Sequence, residues 1–362
     1  MGATRQGEHP GVSHYRLAVD ALKIALADAG LEKTALDGVL GAKLFGSGLD
    51  PTVLARFLGL NPRVTGGLDY STGGFTTQYA AMLVAAGICD MVACVYAHNP
   101  PGTMSGFAGD GAFDGTYGLF NAGAASSFGW TRHMAAYGST EEALGRVVVT
   151  ARRHAALNPL AAFRDRFELD DYFASEYVIR PLREPDMCKL TAGGAALIVA
   201  SADRAKDLRK PPVFFEGVGR HQSTRGLENA AQFDNEAMRA VAKQVYGASG
   251  LTPKDVDVLA PYDAYSSAVL DALENYGFCG RGESPDFVAE GHIALGGSIP
   301  VNPDGGHLSG GYLAGFLHHV ELVRQLRGEC GDRQVLGAQV GQYMSTGGFR
   351  NHNISTIYTV GR

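Results

Sequence analysis

Short, almost wholly apolar runs alternate with helical patterns along this chain, and that alternation constrains its fold more than anything else. Residues 38–42, 91–96, 195–200, 213–218, 256–259, 334–340 and 354–360 read as buried strands, and each is bounded by Gly, Asp or charged turns. Between them, residues 12–29, 73–86, 140–156, 236–246, 266–276 and 313–327 carry apolar residues at helical spacing, with Leu17, Ala21, Ile24 and Ala25 on one side of the first. Strands that are apolar on both faces need helices on both faces, so the chain is an α/β protein with covered sheets. A charged linker at 203–210 and Pro211-Pro212 divide it, and the pattern then starts again.

The longest apolar stretch, 79–97, is broken by Asp90 and reads as a buried helix running into a strand rather than a membrane span. Residues 1–11 hold no apolar signal core, and Gln6 departs from the myristoylation pattern, so neither secretion nor a lipid anchor is expected. Net charge is −6 with no long Lys/Arg run, which disfavours nucleic acid and anionic membranes as partners. The five cysteines, an odd number without metal-type spacing, suit a reduced cytoplasmic protein.

One loop stands apart. Of the fifteen residues from Val301 to Gly315 (VNPDGGHLSGGYLAG), six are Gly or Pro, and a helical pattern follows at once. Such a loop turns tightly and delivers its last residues to a helix N-terminus, a natural place to hold negative charge. A faint repeat surrounds it. Asp69-Tyr70-Ser71-Thr72-Gly73-Gly74 leads into a helix and then the strand at 91–96, and Gly310-Gly311-Tyr312 leads into a helix and then the strand expected at 334–340. Residues 99–186 fit neither half and read as an insertion over the core, forming pocket walls and subunit contacts.

Taken in order, the residues at 68–74, 187–196 (MCKLTAGGAA), 261–266 (PYDAYS), 301–315 and 341–348 (GQYMSTGG) resemble the motifs of the thiolase superfamily, closest to its lipid-transfer-type members. The resemblance implies a thiolase fold: two βαβαβαββ halves, here 1–202 and 211–362, forming a five-layered αβαβα core with an inserted loop domain at about 99–186. It also implies that the first core strand lies before Gly2. The chemistry departs from the family. Where a thiolase has its nucleophilic cysteine, its activating histidine and a His or Asn near the thioester oxygen, this chain has Tyr70, Tyr312 and Tyr262. A phenol of pKa ~10 is a poor acyl carrier at neutral pH. Tyrosines can donate to an oxyanion or exchange protons, which suits retro-aldol cleavage of a β-hydroxyacyl-CoA.

Thiolase-like steroid side-chain aldolases likewise place one tyrosine in a Tyr-Asp motif and another at a Gly-Gly-Tyr loop. The resemblance therefore implies cleavage of a 17-hydroxy steroid acyl-CoA to a 17-ketosteroid and propionyl-CoA or acetyl-CoA, with Tyr262 and Tyr312 catalytic. It implies no cofactor beyond the thioester and no metal in this chain. It also implies a homodimer that joins a DUF35-type OB-fold/zinc-ribbon protein, which would carry any zinc, in an α2β2 complex. Gly310, Gly311, Gly347 and Gly348 would shape the substrate and oxyanion loops. Asp263 either tunes Tyr262 or caps the helix near Ser266, and His307 either meets substrate or lies exposed on a turn. Tyr343 packs beneath the loop or touches substrate, and Tyr70 fills the pocket. His318 and His319 read as surface or subunit packing, since adjacent helical residues do not face one point. Two other readings stay open: a non-catalytic acyl-CoA- or lipid-binding scaffold, and a Claisen-type acyltransferase using a displaced cysteine.

Overall fold

A computed structural model describes residues 1–43, 49–69, 72–99, 122–222, 235–347 and 352–361. In chain order the elements are β1 (Gly2–Ala3), α1 (His14–Ala29), β2 (Gly38–Lys43), α2 (Pro51–Leu58), β3 (Val64–Asp69), α3 (Gly73–Ala85), β4 (Met91–His98), α4 (Ala122–Tyr137), α5 (Glu141–Ala156), α6 (Leu169–Ala174), β5 (Tyr177–Ile179), β6 (Leu182–Arg183) and β7 (Gly193–Ala200). They continue with α7 (Ala202–Ala205), β8 (Phe214–Gln222), α8 (Glu236–Ser249), β9 (Val258–Pro261), α9 (Ser266–Asn275), α10 (Ser284–Ala289), α11 (Phe316–Leu326), β10 (Val340–Gly347) and β11 (His352–Thr359).

Two sheets carry the architecture. The first runs β1-β7-β4-β2-β3 and the second β8-β11-β10-β9. Parallel pairs (β2 with β3 and β4, β9 with β10) lie inside otherwise antiparallel ladders. Alternation along β4 decides the layering. Met91, Ala93, Val95 and Ala97 enter one core with Leu17, Leu22 and Leu26 of α1. Val92, Cys94 and Tyr96 enter the other, with α3, α11 and the second sheet. Helix α8 covers the far face of that second sheet, where Met238, Val241 and Val245 are buried. The order is thus α1, first sheet, α3 with α11, second sheet, α8. Each buried Leu or Val contributes roughly 1.5–3 kcal/mol of transfer free energy.

Three expectations need correction. The strand expected at 334–340 begins only at Val340, because Gly337 turns with φ +75° and the Asp257 carboxylate takes the amides of Gln339 and Val340. Leu336 projects into solvent, 91% exposed. Helix α11 starts at Phe316 rather than 313, since Ala314 and Gly315 stand at φ +50° and +82°. The edge strand expected before Gly2 is residues 2–3, paired with Ala195 and Ala196. Strand β3, with Gly66-Gly67 at its centre, had no apolar run to announce it.

Candidate active site

Strand β9 ends at Pro261, and the Tyr262 amide continues the ladder by donating to Met344 O at 2.7 Å. This aims the Tyr262 ring into the layer between the sheets. Tyr312 arrives from the other side. Residues 306–310 form one π-turn, Gly311 stands at φ +144°, and the Tyr312 amide donates to Thr191 Oγ1 at 2.9 Å. The two hydroxyls meet at 2.6 Å, with the rings at 87°. Tyr262 is 7% exposed and Tyr312 0%.

Asp263 is the anchor of this arrangement. Its Oδ1 accepts from the His307 amide (2.8 Å) and faces His318 Nε2 (3.0 Å), while Oδ2 accepts from the Leu308 amide (3.3 Å). It does not cap α9, whose N-cap is Tyr265. His307 is fully buried, not exposed on a turn. Its Nε2 accepts from the Gly315 amide at 3.0 Å, and its ring packs edge-on to Tyr262 (4.4 Å between centroids) and tilted over Tyr312 (4.7 Å).

The surface or packing role expected of His318 and His319 is overturned. Both are buried, because residues 316–322, the first two turns of α11, lie wholly inside the central layer. His318 lies nearly parallel to Tyr262 (14°, 6.3 Å), and His319 packs tilted on Tyr343 (4.0 Å, 38°). Tyr343, on β10, packs beneath the loop, with its hydroxyl 3.3 Å from Thr72 Oγ1. Tyr70 and Gly348 lie outside the described residues, and Gly347 ends β10. The Gly310 and Gly311 amides are engaged by Gly305 O and Gly306 O within the π-turn, so in this geometry they serve the loop itself.

The insertion grips the same loop. Asn158 Nδ2 donates to Asp304 O (3.0 Å), Arg152 Nε to Ser309 Oγ (3.2 Å), and the Ala162 and Phe163 amides to Gly310 O and Ser309 O (2.9 and 3.0 Å). Beneath it, Glu321 and Arg333 form a buried ion pair, with Arg333 Nη2 3.0 Å from Oε2.

Burial sets the electrostatics. It holds the Tyr262 and Tyr312 phenols well above their usual range, and the bond between them favours charge on whichever hydroxyl accepts. Burial likewise pushes Tyr343 up to about 12 and His307 well below its ordinary value, leaving His307 neutral. For His318 burial acts downward, but the Asp263 carboxylate, with Asp304 behind it, outweighs burial and raises the imidazole. Asp304 itself is raised to about 6, by burial first and Glu321 next.

Asp263, His307 and His318 offer ligand atoms within 4.8 Å of one another. The donor chemistry does not suit a cation. Gly315 donating to His307 Nε2 leaves the proton on Nδ1, so neither ring nitrogen offers a free lone pair, and His318 Nε2 is turned to Asp263 as a hydrogen-bond partner.

Cys188 lies close enough to both tyrosines to feel charge on them, a proximity that the sequence order hid. Its thiol, like that of Cys94, is raised by burial, the opposite of an activated nucleophile.

Residues 219–360 match the thiolase C-terminal domain-like family. The chain is 35% identical over 351 residues to a steroid side-chain-cleaving aldolase of Thermomonospora curvata, covering 91% of this chain and 89% of that one. It is also 35% identical to the 17-hydroxy-3-oxo-4-pregnene-20-carboxyl-CoA lyase of Mycobacterium tuberculosis, covering 91% and 90%. The solved Ltp2-ChsH2(DUF35) aldolase superposes with a TM-score of 0.89 at 33% identity, covering 99% of this chain and 96% of that one. By that fold and those relatives, the chain belongs to the thiolase superfamily, among its steroid side-chain-cleaving aldolases.

Proposed function

We propose that this protein is a carbon–carbon lyase that cleaves a 17-hydroxy steroid side-chain acyl-CoA to a 17-ketosteroid and propionyl-CoA or acetyl-CoA. The observation that carries the site assignment is the 2.6 Å contact between the Tyr262 and Tyr312 hydroxyls, fifty residues apart in sequence. Two buried phenols held above their normal range are neutral at pH 7, and a neutral hydrogen-bonded pair accepts one proton as it gives another.

The steps then balance without a covalent intermediate. One phenol takes the substrate's β-hydroxyl proton as the other releases its own toward the forming enolate, and release runs ahead of uptake, so the pair carries negative charge in between. The Cα–Cβ bond breaks, its electron pair moves into the thioester as an enolate, and the second phenol's proton completes the acyl-CoA at Cα. The hydroxyl-bearing carbon becomes the ketone. These steps draw on no cofactor beyond the CoA thioester.

The protein acts as a homodimer bound to a DUF35-type partner in an α2β2 assembly in the cytoplasm. Supporting this are the DUF35 partner named in the aldolase structure that this chain resembles, and the absence, among the described residues, of a helix long and apolar enough to cross a membrane.

The test is the chain co-expressed with a DUF35-type protein, incubated with such a thioester and followed by mass spectrometry. Ketone and short acyl-CoA are expected without release of free CoA. Tyr312→Phe, which removes one hydroxyl and keeps the ring, is expected to lower turnover about 10²–10⁴-fold with fold and partner binding intact. Near-wild-type turnover would remove Tyr312 from the mechanism. Tight binding of the intact thioester without cleavage would favour a binding subunit.

A further inference from the structure

Among the buried ionisable groups at the site that the mechanism above does not use, His318 is the one held directly against a carboxylate. His318 stands on α11 behind Tyr262, its ring plane within 14° of the phenol's and its centroid 6.3 Å away. His318 Nε2 faces Asp263 Oδ1 at 3.0 Å, and both side chains are at most 1% exposed. His307 packs edge-on between them and Tyr262, 4.3 Å from the His318 ring and 4.4 Å from the Tyr262 ring. We propose that His318 is a positioning residue that holds a buried positive charge behind Tyr262 and steadies negative charge building on the Tyr262–Tyr312 hydroxyl pair during proton transfer. This role rests on the aldolase reading.

Three features of the site support it. Among the described residues Asp263 is the carboxylate bonded to His318, and it is pinned by the backbone amides of His307 and Leu308, so the charge pair cannot drift when the phenols change state. The group nearest both rings, His307, is a neutral hydrogen-bond acceptor for Gly315 and adds no competing charge. The site is nearly dry, where a fixed charge acts more strongly than it would in water.

The groups facing His318 are Asp263 from the segment after β9, Asp304 and His307 from the glycine-rich loop, Tyr262, Tyr343 from β10, and its own neighbour His319. His319 is held near pKa 3 by burial and by His318, so it stays neutral and does not substitute for it. The Asp263 and Asp304 carboxylates outweigh burial and keep His318 protonated above the ordinary histidine range. The imidazolium, and with it the assistance, is present at low and neutral pH and lost as pH rises through that raised value.

The experiment uses the chain in complex with its DUF35-type partner and labelled with ¹³C at the tyrosine Cζ. In the wild type, the Tyr262 resonance is expected to move in step with the His318 ring titration, and kcat to fall over the same pH interval with KM nearly constant. His318→Gln keeps an N–H for Asp263 but removes the charge. It is expected to abolish the Tyr262 step, flatten the pH profile and lower kcat about 10²-fold. Asp304→Asn removes one of the two carboxylates that raise His318 and is expected to move the coupled step to lower pH.

A Tyr262 resonance indifferent to His318, or an Asp304→Asn variant in which the step moves to higher pH, would overturn the proposal. The resonance needs neither turnover nor a variant that folds. Failure to cleave any steroid thioester, with the step present, would therefore count against the aldolase reading and not against the charge behind Tyr262.

Discussion

Gly315→Ala is the sharpest probe of how the backbone holds the tyrosines. Gly315 stands at φ +82°, where a Cβ costs roughly 1–2 kcal/mol. That Cβ would also lie 2.5 Å from Tyr343 Oη and 3.2 and 3.3 Å from Tyr262 Cδ2 and Cε2. Overpacking of this kind costs about 1–3 kcal/mol. Together the penalty is about 2–5 kcal/mol. With an unfolding entropy of ~2.1 cal/mol/K per residue, a chain of 362 residues loses about 3–7 °C of melting temperature. Relief comes first by displacing the Tyr343 hydroxyl, and the Tyr262 ring gives by a few tenths of an ångström; since ~1 Å of misplacement costs ~10² in rate, a several-fold loss of turnover is expected.

Gly328→Ala separates the two contributions. Gly328 has φ +71° but no atom within 4 Å of the Cβ site, so it should lose only the smaller, backbone share of stability and no activity. The assays are thermal unfolding and thioester cleavage, run on both variants. A Gly315→Ala protein that melts and turns over like wild type would refute the reasoning, as would equal loss of activity in Gly328→Ala.

Other outcomes follow from the same geometry. Asp304 is raised from 3.8 to about 6, so its contribution to stability is full below 3.8 and lost as pH rises through 6. Asp304→Asn is therefore expected to match wild type near pH 4 and to exceed it above pH 6 by up to about 3 kcal/mol in denaturant titrations. Arg333→Met strands the Glu321 carboxylate, which is 4% exposed, and should cost about 3–5 kcal/mol; loss of less than ~1 kcal/mol would mean the pair is solvated. Thiol alkylation is expected to spare activity and to begin at Cys279, the one free cysteine not fully buried. Stoichiometric inactivation with label on Cys188 would restore a thiolase-type mechanism.

The two tyrosines were legible through resemblance, since residues 261–266 and 301–315 are similar to motifs of thiolase-like aldolases, and the structure brings their hydroxyls together. The histidines were not. A His-His dipeptide on a helix looks like surface when one face of that helix is presumed wet. Here α11 lies between two sheets, and Leu317, His318, His319, Val320 and Glu321 are all buried in succession. Helix periodicity describes a helix with one core beside it, not one enclosed on all sides. The misplaced strand has a similar cause. Val335, Leu336 and Val340 suggest one apolar run, and only the Asp257 carboxylate, reached from a distant turn, decides that pairing starts at Val340. Asp263 was undecidable locally, since its partners lie 44, 45 and 55 residues away.

The seam between the halves has a consequence for how the molecule comes into being. The Gly73 amide closes on Ala314 O, Leu190 bridges to Tyr312, Gln78 reaches Ser355, and the Tyr343 hydroxyl meets Thr72 across 271 positions. Contacts of such separation form late, because the intervening chain must first be ordered. A ribosome-bound fragment of two hundred residues already holds every strand of the first sheet. It holds neither Tyr262 nor Tyr312, and the layer that will receive them is still an exposed apolar face. Competence therefore arrives in a single late docking event, and until then that face is what chaperones, or other unfinished chains, would find first.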